Sequence, residues 1–274
     1  MARSLAGRTI LVTGASRGIG RAIALRAARD GANVVVAAKT SEPHSQLPGT
    51  IHTVAAEVDA AGGRALPVVV DVRHPVSVEA AVERTVETFG GVDVVVNNAG
   101  AIRLTGTLDT PVDRFDLMWA VNARAAFVCS RACLPHLLRS DNPHVLSLCP
   151  PISLEPRWLA PHAAYTLSKY GMSLLALGMA EEFAADGVAF NALWPRTVIA
   201  TAALAMLGGR VKPENCRTPE IVADAAHAIV TRDSRACSGR LLLDEEVLRE
   251  EGVTDFERYR VDPEAPLTPD MFVS

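Results

Sequence analysis

Several features are missing from this sequence, and each absence excludes a class of protein. The 274 residues carry a formal charge of −4 and no basic block, which excludes nucleic acid as the main partner. No apolar run approaches the ~20 residues that a membrane-spanning helix needs. The N-terminal MARSLAGRTILVTGAS leads directly into a strand without the apolar core of a signal peptide. The closing Met271-Phe272-Val273-Ser274 is not a peroxisomal address. The five cysteines (Cys129, Cys133, Cys149, Cys216 and Cys237) are odd in number and scattered. No pair has metal-ligand spacing, so they read as reduced thiols, and no metal site is expected. There is no internal repeat and no second domain. A cytoplasmic protein of one domain, residues 1–274, is the expectation, and 49% hydrophobic residues suffice for its core.

What is present is an alternation of short apolar runs with helical patterns. Apolar runs at 9–13, 33–38, 66–70, 92–96, 144–148, 188–193 and 240–243 read as strands, nearly continuous in their hydrophobicity. Helical periodicity intervenes between them, for example at 51–61, 77–89, from the Thr110-Pro111 start to about Arg139, and at 163–186. Strands alternating with helices imply a doubly wound parallel α/β sheet, a Rossmann fold. Residues 41–50 read as a polar loop, 199–216 as a glycine-hinged lid over a substrate, and 245–274 as an acidic, proline-punctuated tail.

The first strand runs into Gly14-Ala15-Ser16-Arg17-Gly18-Ile19-Gly20 and then a helix. Glycines there let the backbone turn tightly and approach a pyrophosphate at the helix N-terminus, where free N–H groups and the dipole attract anions. The second strand ends in Ala38-Lys39-Thr40, where NAD-binding folds often place an acid for the ribose 2′-hydroxyl. A lysine in that place, with Arg17 nearby, suits a 2′-phosphate and so NADP(H), with NAD(H) the weaker candidate. Asp71-Val72 ends the third strand, where Asp71 suits the adenine amino group or caps a turn. Tyr165 and Lys169 stand four residues apart, on one face of a long helix. A cation beside a phenol lowers its pKa and fits it for proton exchange with a substrate oxygen near neutral pH.

Together, Thr13-Gly14-x-x-x-Gly18-x-Gly20, Asp71, Asn97-Asn98-Ala99-Gly100, Asn122 and Tyr165-x-x-x-Lys169 resemble the short-chain dehydrogenase/reductase family over essentially the whole chain. The resemblance implies roles. Tyr165 would be the general acid or base, Lys169 would hold the nicotinamide ribose, and Asn122 would order a relaying water. Asn98, Ala99 and Gly100 would line the cofactor, with Pro195 and Val198 near its carboxamide. The implied function is NADP(H)-dependent interconversion of a carbonyl and an alcohol on an apolar, lipid- or steroid-like small molecule. The implied assembly is a homo-oligomer, a tetramer or dimer. The stretch 123–138 is apolar on more than one face, as a helix buried on several sides would be.

Two departures stand out. The family's catalytic serine, thirteen residues before the tyrosine, is Ile152 here, and a motif alignment puts Pro150 at that place. Ser153 is the nearest substitute, and Ser147 lies back inside the strand. The glycine that usually follows the proline after strand six is Arg196. The missing serine motivates a second reading, a dinucleotide-binding protein of the same fold with little turnover.

Overall fold

The apolar runs fold into the strands of one sheet in a computed structural model, which describes residues 4–43, 47–207, 209 and 211–273. Residues 44–46 of the expected loop and 208 and 210 of the expected lid lie outside that set. The strands are β1 (Thr9–Thr13), β2 (Asn33–Ala38), β3 (Arg64–Val69), β4 (Val94–Asn97), β5 (His144–Leu148), β6 (Ala189–Trp194) and β7 (Leu241–Leu243). They pair in parallel in the order β3-β2-β1-β4-β5-β6-β7. Successive side chains leave opposite faces of a strand. Thus Ile10 and Val12 enter one apolar layer while Leu11 enters the other, and Val94 and Val96 are split in the same way from Val95. Both faces are covered, which is why the strands read as continuous rather than alternating hydrophobicity. Pro67 is tolerated because β3 is an edge strand.

Helix α1 (Gly18–Ala28), α2 (Ile51–Ala60), α8 (Glu220–Val230) and α9 (Asp244–Glu250) cover one face. Helices α3 (Pro75–Phe89), α5 (Ala125–Leu137) and the long α7 (Ala163–Glu182) cover the other. Strand order reverses between β1 and β4, so the loops after these two strands diverge and leave a crevice at their carboxyl ends. None of the described helices is long and apolar enough to cross a membrane.

Several expected boundaries shift for physical reasons. Pro111 caps α4 (Val112–Trp119) rather than occupying its first turn. The helix expected to continue to about Arg139 is interrupted by a π-helical turn, Ala120–Arg124, which holds Asn122. Helix α7 stops at Glu182, short of Asp186, and the chain closes through Gly187 at φ 76, a conformation glycine adopts freely. A short helix, α6 (Pro156–Leu159), interrupts the loop between β5 and α7. The acidic tail opens with α9 and then returns along the carboxyl edge of the sheet. Pro269 bridges antiparallel to Thr197, and Val198 N donates to Thr268 O at 3.0 Å.

The glycine turn is packed too tightly for side chains. A Cβ on Gly20 would lie 2.5 Å from Asn98 Nδ2 and 2.6 Å from Gly14 O. Gly20→Ala should therefore lower stability by about 1–3 kcal/mol, the usual cost of overpacking. Urea denaturation reads this directly, and an unchanged midpoint would contradict the close approach of turn and β4 loop.

Candidate active site

The crevice is a cavity of about 610 Å³ that runs from the glycine turn to the N-terminal part of α7. Its geometry begins at Thr13. Thr13 Oγ1 accepts from Asn98 N at 3.0 Å and Ala99 N at 3.1 Å, and Asn98 Nδ2 donates to Thr13 O at 2.8 Å. These bonds hold the loop after β4 against the turn after β1. Gly14 takes φ 66, and a Cβ there would meet Ala99 Cα at 2.9 Å. Gly18, at φ 55, opens α1, whose first N–H groups have no partner within the helix. A glycine turn that lets the backbone come close, beneath a helix N-terminus, fits a pyrophosphate.

Most sequence-expected cofactor residues line this cavity: Gly14, Ser16, Arg17, Gly18, Ile19, Lys39, Asp71, Val72, Asn98, Ala99, Gly100, Lys169, Pro195 and Val198. Ala15 and Gly20 do not line it. Ala15 is fully buried beneath the turn, and Gly20 gives Asn98 room. Arg17 donates to Pro48 O at 3.1 Å and Gly49 O at 3.2 Å, so its guanidinium already braces the loop before α2. Lys39 is exposed at the rim. Asp71 is held by Arg73, whose Nη2 donates at 2.5 Å, and the guanidinium brings its carboxyl down to about 2. A carboxylate so engaged still has lone pairs for an adenine amino group.

Asn122 stands behind the cavity wall. Its Oδ1 accepts from Ala101 N at 2.8 Å, and its Nδ2 donates to Ala101 O at 2.9 Å and Ser168 Oγ at 2.9 Å. The buried amide thus has both its hydrogens placed, and it ties the loop after β4 to helix α7. Ser153 is not brought to the cavity. Its Oγ lies 3.5 Å from Glu155 Oε1 and accepts from Glu155 N at 3.3 Å, and its backbone is fixed by the Tyr170 hydroxyl. As a stand-in for the serine, Ser153 fails on geometry: the turn points it at its own loop. Pro150 uses its carbonyl to accept from Ser173 Oγ at 2.7 Å and offers no donor to the cavity.

Tyr165 and Lys169 do share the cavity, though not in the expected electrostatic relation. Lys169 Nζ donates to Leu148 O at 2.8 Å and lies 5.2 Å from the Trp194 ring centroid. Burial lowers the ammonium to about 8, against the pull of Cys149 and Asp270. Burial raises the Tyr165 phenol above its ordinary range, and the Asp270 charge pushes the same way. The sequence expectation of a lowered phenol pKa is therefore reversed, because desolvation of the phenolate and the Asp270 charge both raise it. At neutral pH the phenol is held protonated, the form an acid needs for carbonyl reduction.

The residues that the sequence reading missed come from the tail. Asp270 and Met271 line the cavity beside Tyr165. Phe272 stacks on Tyr165 with centroids 6.3 Å apart and also meets Trp158, His162, Tyr170 and Trp194. Trp194 Nε1 donates to Met271 O at 2.9 Å, and Arg196 O accepts from Asp270 N at 3.0 Å. The unusual Arg196 thus sits where the tail docks. Its own N–H donates to Asp244 Oδ1 at 2.9 Å. The available signal was the apolar Met271-Phe272-Val273 ending an otherwise polar tail. The expected lid contributes Thr201–Leu204 to the cavity rim, and Thr201 packs 3.3 Å from the Cβ position of Gly18.

Comparison with known proteins agrees with this arrangement. A family model described as short chain dehydrogenase matches residues 8–208. Hydroxysteroid dehydrogenase-like protein 2 of Danio rerio is 56% identical over 269 residues, 98% of this chain and 64% of that protein. The chain therefore spans somewhat less than two thirds of this relative's length. The crystal structure of a dehydrogenase candidate from Xanthomonas campestris is 59% identical, with a TM-score of 0.97 and 99% of each chain covered. A metagenomic short-chain oxidoreductase solved in complex with NADP is 29% identical, with a TM-score of 0.72, covering 87% of this chain and 97% of that one.

Phe272 adopts φ 68, a left-handed conformation that costs a non-glycine residue about 1–3 kcal/mol and persists only when packing enforces it. Phe272→Ala should lower stability by about 3 kcal/mol, the lower end of the range for a buried phenylalanine, since the tail can undock without unfolding the sheet. Guanidinium denaturation checks this, and matching midpoints for the two proteins would mean that the aromatic box contributes nothing.

Proposed function

This chain belongs to the short chain dehydrogenase family, and on that footing we propose that it is an NADP(H)-dependent oxidoreductase interconverting a carbonyl and an alcohol on an apolar, lipid- or steroid-like substrate. The observation that carries the reading is one continuous cavity joining the glycine turn to Tyr165 and Lys169. The apolar substrate class is supported by Leu117, Val121, Met271 and the lid residues Ala202–Leu204 on its walls.

The bound nicotinamide would supply or accept the hydride. Gly14, Gly18 and the first N–H groups of α1 would hold its pyrophosphate, Asn98–Gly100 its nicotinamide half, and Pro195 and Val198 its carboxamide. Lys39, and Arg17 where it can leave its loop carbonyls, would take a 2′-phosphate. Tyr165 would give its proton to the substrate oxygen in reduction. Lys169 would hold the nicotinamide ribose and stabilise the phenolate left behind. Asn122 would keep the Ala101 loop and Ser168 in register, so that the cofactor wall and the catalytic helix move as one. The five unpaired, buried cysteines support a reducing, cytoplasmic location. Phe127 on α5 and Leu167 and Leu174 on α7 are each about half exposed, and they support a homo-oligomer assembled on these helices.

A second reading, a dinucleotide-binding protein with little turnover, is favoured by Ser153 turning away from the cavity and Phe272 lying over Tyr165.

Three measurements test this function. NADPH should bind more tightly than NADH, and Lys39→Ala should remove at least about tenfold of that preference. A charge-assisted bond to a phosphate is worth roughly 1.5–3 kcal/mol. Equal affinities in the wild type would end the NADP(H) reading. Tyr165→Phe should abolish reduction of apolar aldehydes and ketones while NADPH still binds. NADPH binding by the wild type without turnover of any carbonyl would favour the binding-protein reading. Light scattering at micromolar concentration should return a multiple of the chain mass, and a monomer mass would rule the assembly out.

A further inference from the structure

The family's serine has no counterpart in the cavity, yet an acid faces it that no motif announced. Asp270 lines the cavity together with Tyr165, Lys169 and Trp194. Backbone pairing fixes its position. Asp270 N donates to Arg196 O at 3.0 Å, Val198 N donates to Thr268 O at 3.0 Å, and Pro269 bridges to Thr197. On the far side Trp194 Nε1 holds Met271 O at 2.9 Å. Asp270 therefore hangs from the segment just after β6 that, by the family resemblance, borders the nicotinamide. One carboxyl oxygen, Oδ1, accepts from Met271 N at 2.6 Å, and the other has no hydrogen-bond partner among the described residues.

Building on the dehydrogenase reading above, we propose that Asp270 is a catalytic residue: in its acid form it donates a hydrogen bond from Oδ2 to the substrate oxygen beside the Tyr165 hydroxyl, the task that a serine performs elsewhere in the family. A carboxylic acid kept neutral by apolar surroundings is a good donor to an oxygen that is gaining negative charge. Burial raises Asp270 to about 7, the nearby Asp244 pushes it further up, and Lys169 pulls it down. In reduction the proton that ends on the substrate oxygen would leave Tyr165, and a bound reduced nicotinamide would supply the hydride. Asp270 shares its own proton and keeps it. Nothing else is consumed.

The charged and titratable groups around Asp270 come from five places. Lys169 and Tyr165 face it from α7, Asp244 from the start of α9 and Cys216 from the segment before α8, while Cys149 after β5 acts on Lys169 and His162 packs on Phe272 in the aromatic box. The Cys149 and Cys216 thiols are raised by burial and do not titrate near neutrality. His162 is lowered by burial. Asp244, raised to about 6, is fully buried and outside the cavity lining. The acid form of Asp270 is the active one, so its contribution is present below its pKa and lost as pH rises through about 7. A carboxylate there could not donate, and it would repel the developing alkoxide. Lys169, at about 8, adds a separate loss at higher pH.

The test is NADPH-dependent reduction of a panel of apolar aldehydes and ketones between about pH 5 and 9, with Asp270→Ala and Asp270→Asn. Asp270→Ala should lower kcat about a hundredfold with NADPH affinity unchanged. Asp270→Asn keeps a donor and the Met271 contact, so it should restore most of the lost rate and remove the loss near neutrality, leaving only the later one from Lys169. Asparagine also carries the test if the alanine variant unfolds. In parallel, carbon NMR of aspartate-labelled wild type, with the Asp270→Asn spectrum for assignment, should place the carboxyl midpoint near neutrality. Unchanged kcat in Asp270→Ala, the same neutral loss in Asp270→Asn, or a midpoint in the ordinary carboxylate range would each overturn the role of Asp270 and leave the dehydrogenase reading standing. A wild type that binds NADPH but reduces no member of the panel would overturn both.

Discussion

Thr13 is where the two halves of the sheet part, and its hydroxyl is the point on which the site depends. At the carboxyl ends of β1 and β4 the backbone leaves the ladder, and its buried N–H groups lose their strand partners. Thr13 Oγ1 accepts from Asn98 N and Ala99 N and donates to Val96 O at 3.2 Å, so one side chain satisfies three backbone groups at once. From there the chain itself runs to Ala101, and hydrogen bonds continue from Ala101 to the Asn122 amide and from Asn122 to Ser168, the residue before Lys169. The glycine turn and helix α7 lie on different halves of the sheet. This sequence of bonds is what makes them one site. The π-helical turn at Ala120–Arg124 belongs to it, since it places the Asn122 amide between two elements that regular helix would present to only one.

The second controlling fact is burial. Tyr165, Lys169 and Asp270 are all drawn toward their neutral forms by desolvation; Lys169 and Asp270 trim each other's shift, while the Asp270 charge adds to that of Tyr165. A site of this kind has a protonated acid ready, a cation weakly held, and a carboxyl that titrates where most carboxyls are long ionised. Such a cluster is costly to the fold and specific in chemistry, which is the usual relation between perturbed groups and function.

Much of this was legible in the sequence. Strands covered on both faces leave continuous runs such as Val34–Ala38, and the glycine turn is read from its place between a strand and a helix. Tyr165 and Lys169 were legible because both lie on one helical face. What was not legible came from long-range contact or from direction. Lys169 finds its partner at Leu148 O, a backbone atom with no residue-type signature. Ser153 was within one position of the expected place, but the turn made by Pro150 and Pro151 aims it at Glu155. The phenol shift had the wrong sign because spacing reveals a neighbouring charge and says nothing of water. Asp270 and Phe272 lie more than a hundred residues after Tyr165 in a segment without periodicity, where nothing local tells a docked tail from a free one.

The docked tail also orders events in time. The sheet is complete once Leu243 has been made, while Asp270 and Phe272 follow only later in synthesis. At roughly 5–20 residues per second the interval is a few seconds. During it, the nascent chain can possess its sheet and its glycine turn while Tyr165 stands uncovered. A message cut short before the codon for Asp270 would yield a chain with a Rossmann sheet and an unfinished cavity. The residues that cover Tyr165 are thus added only after the last strand of the sheet has been made.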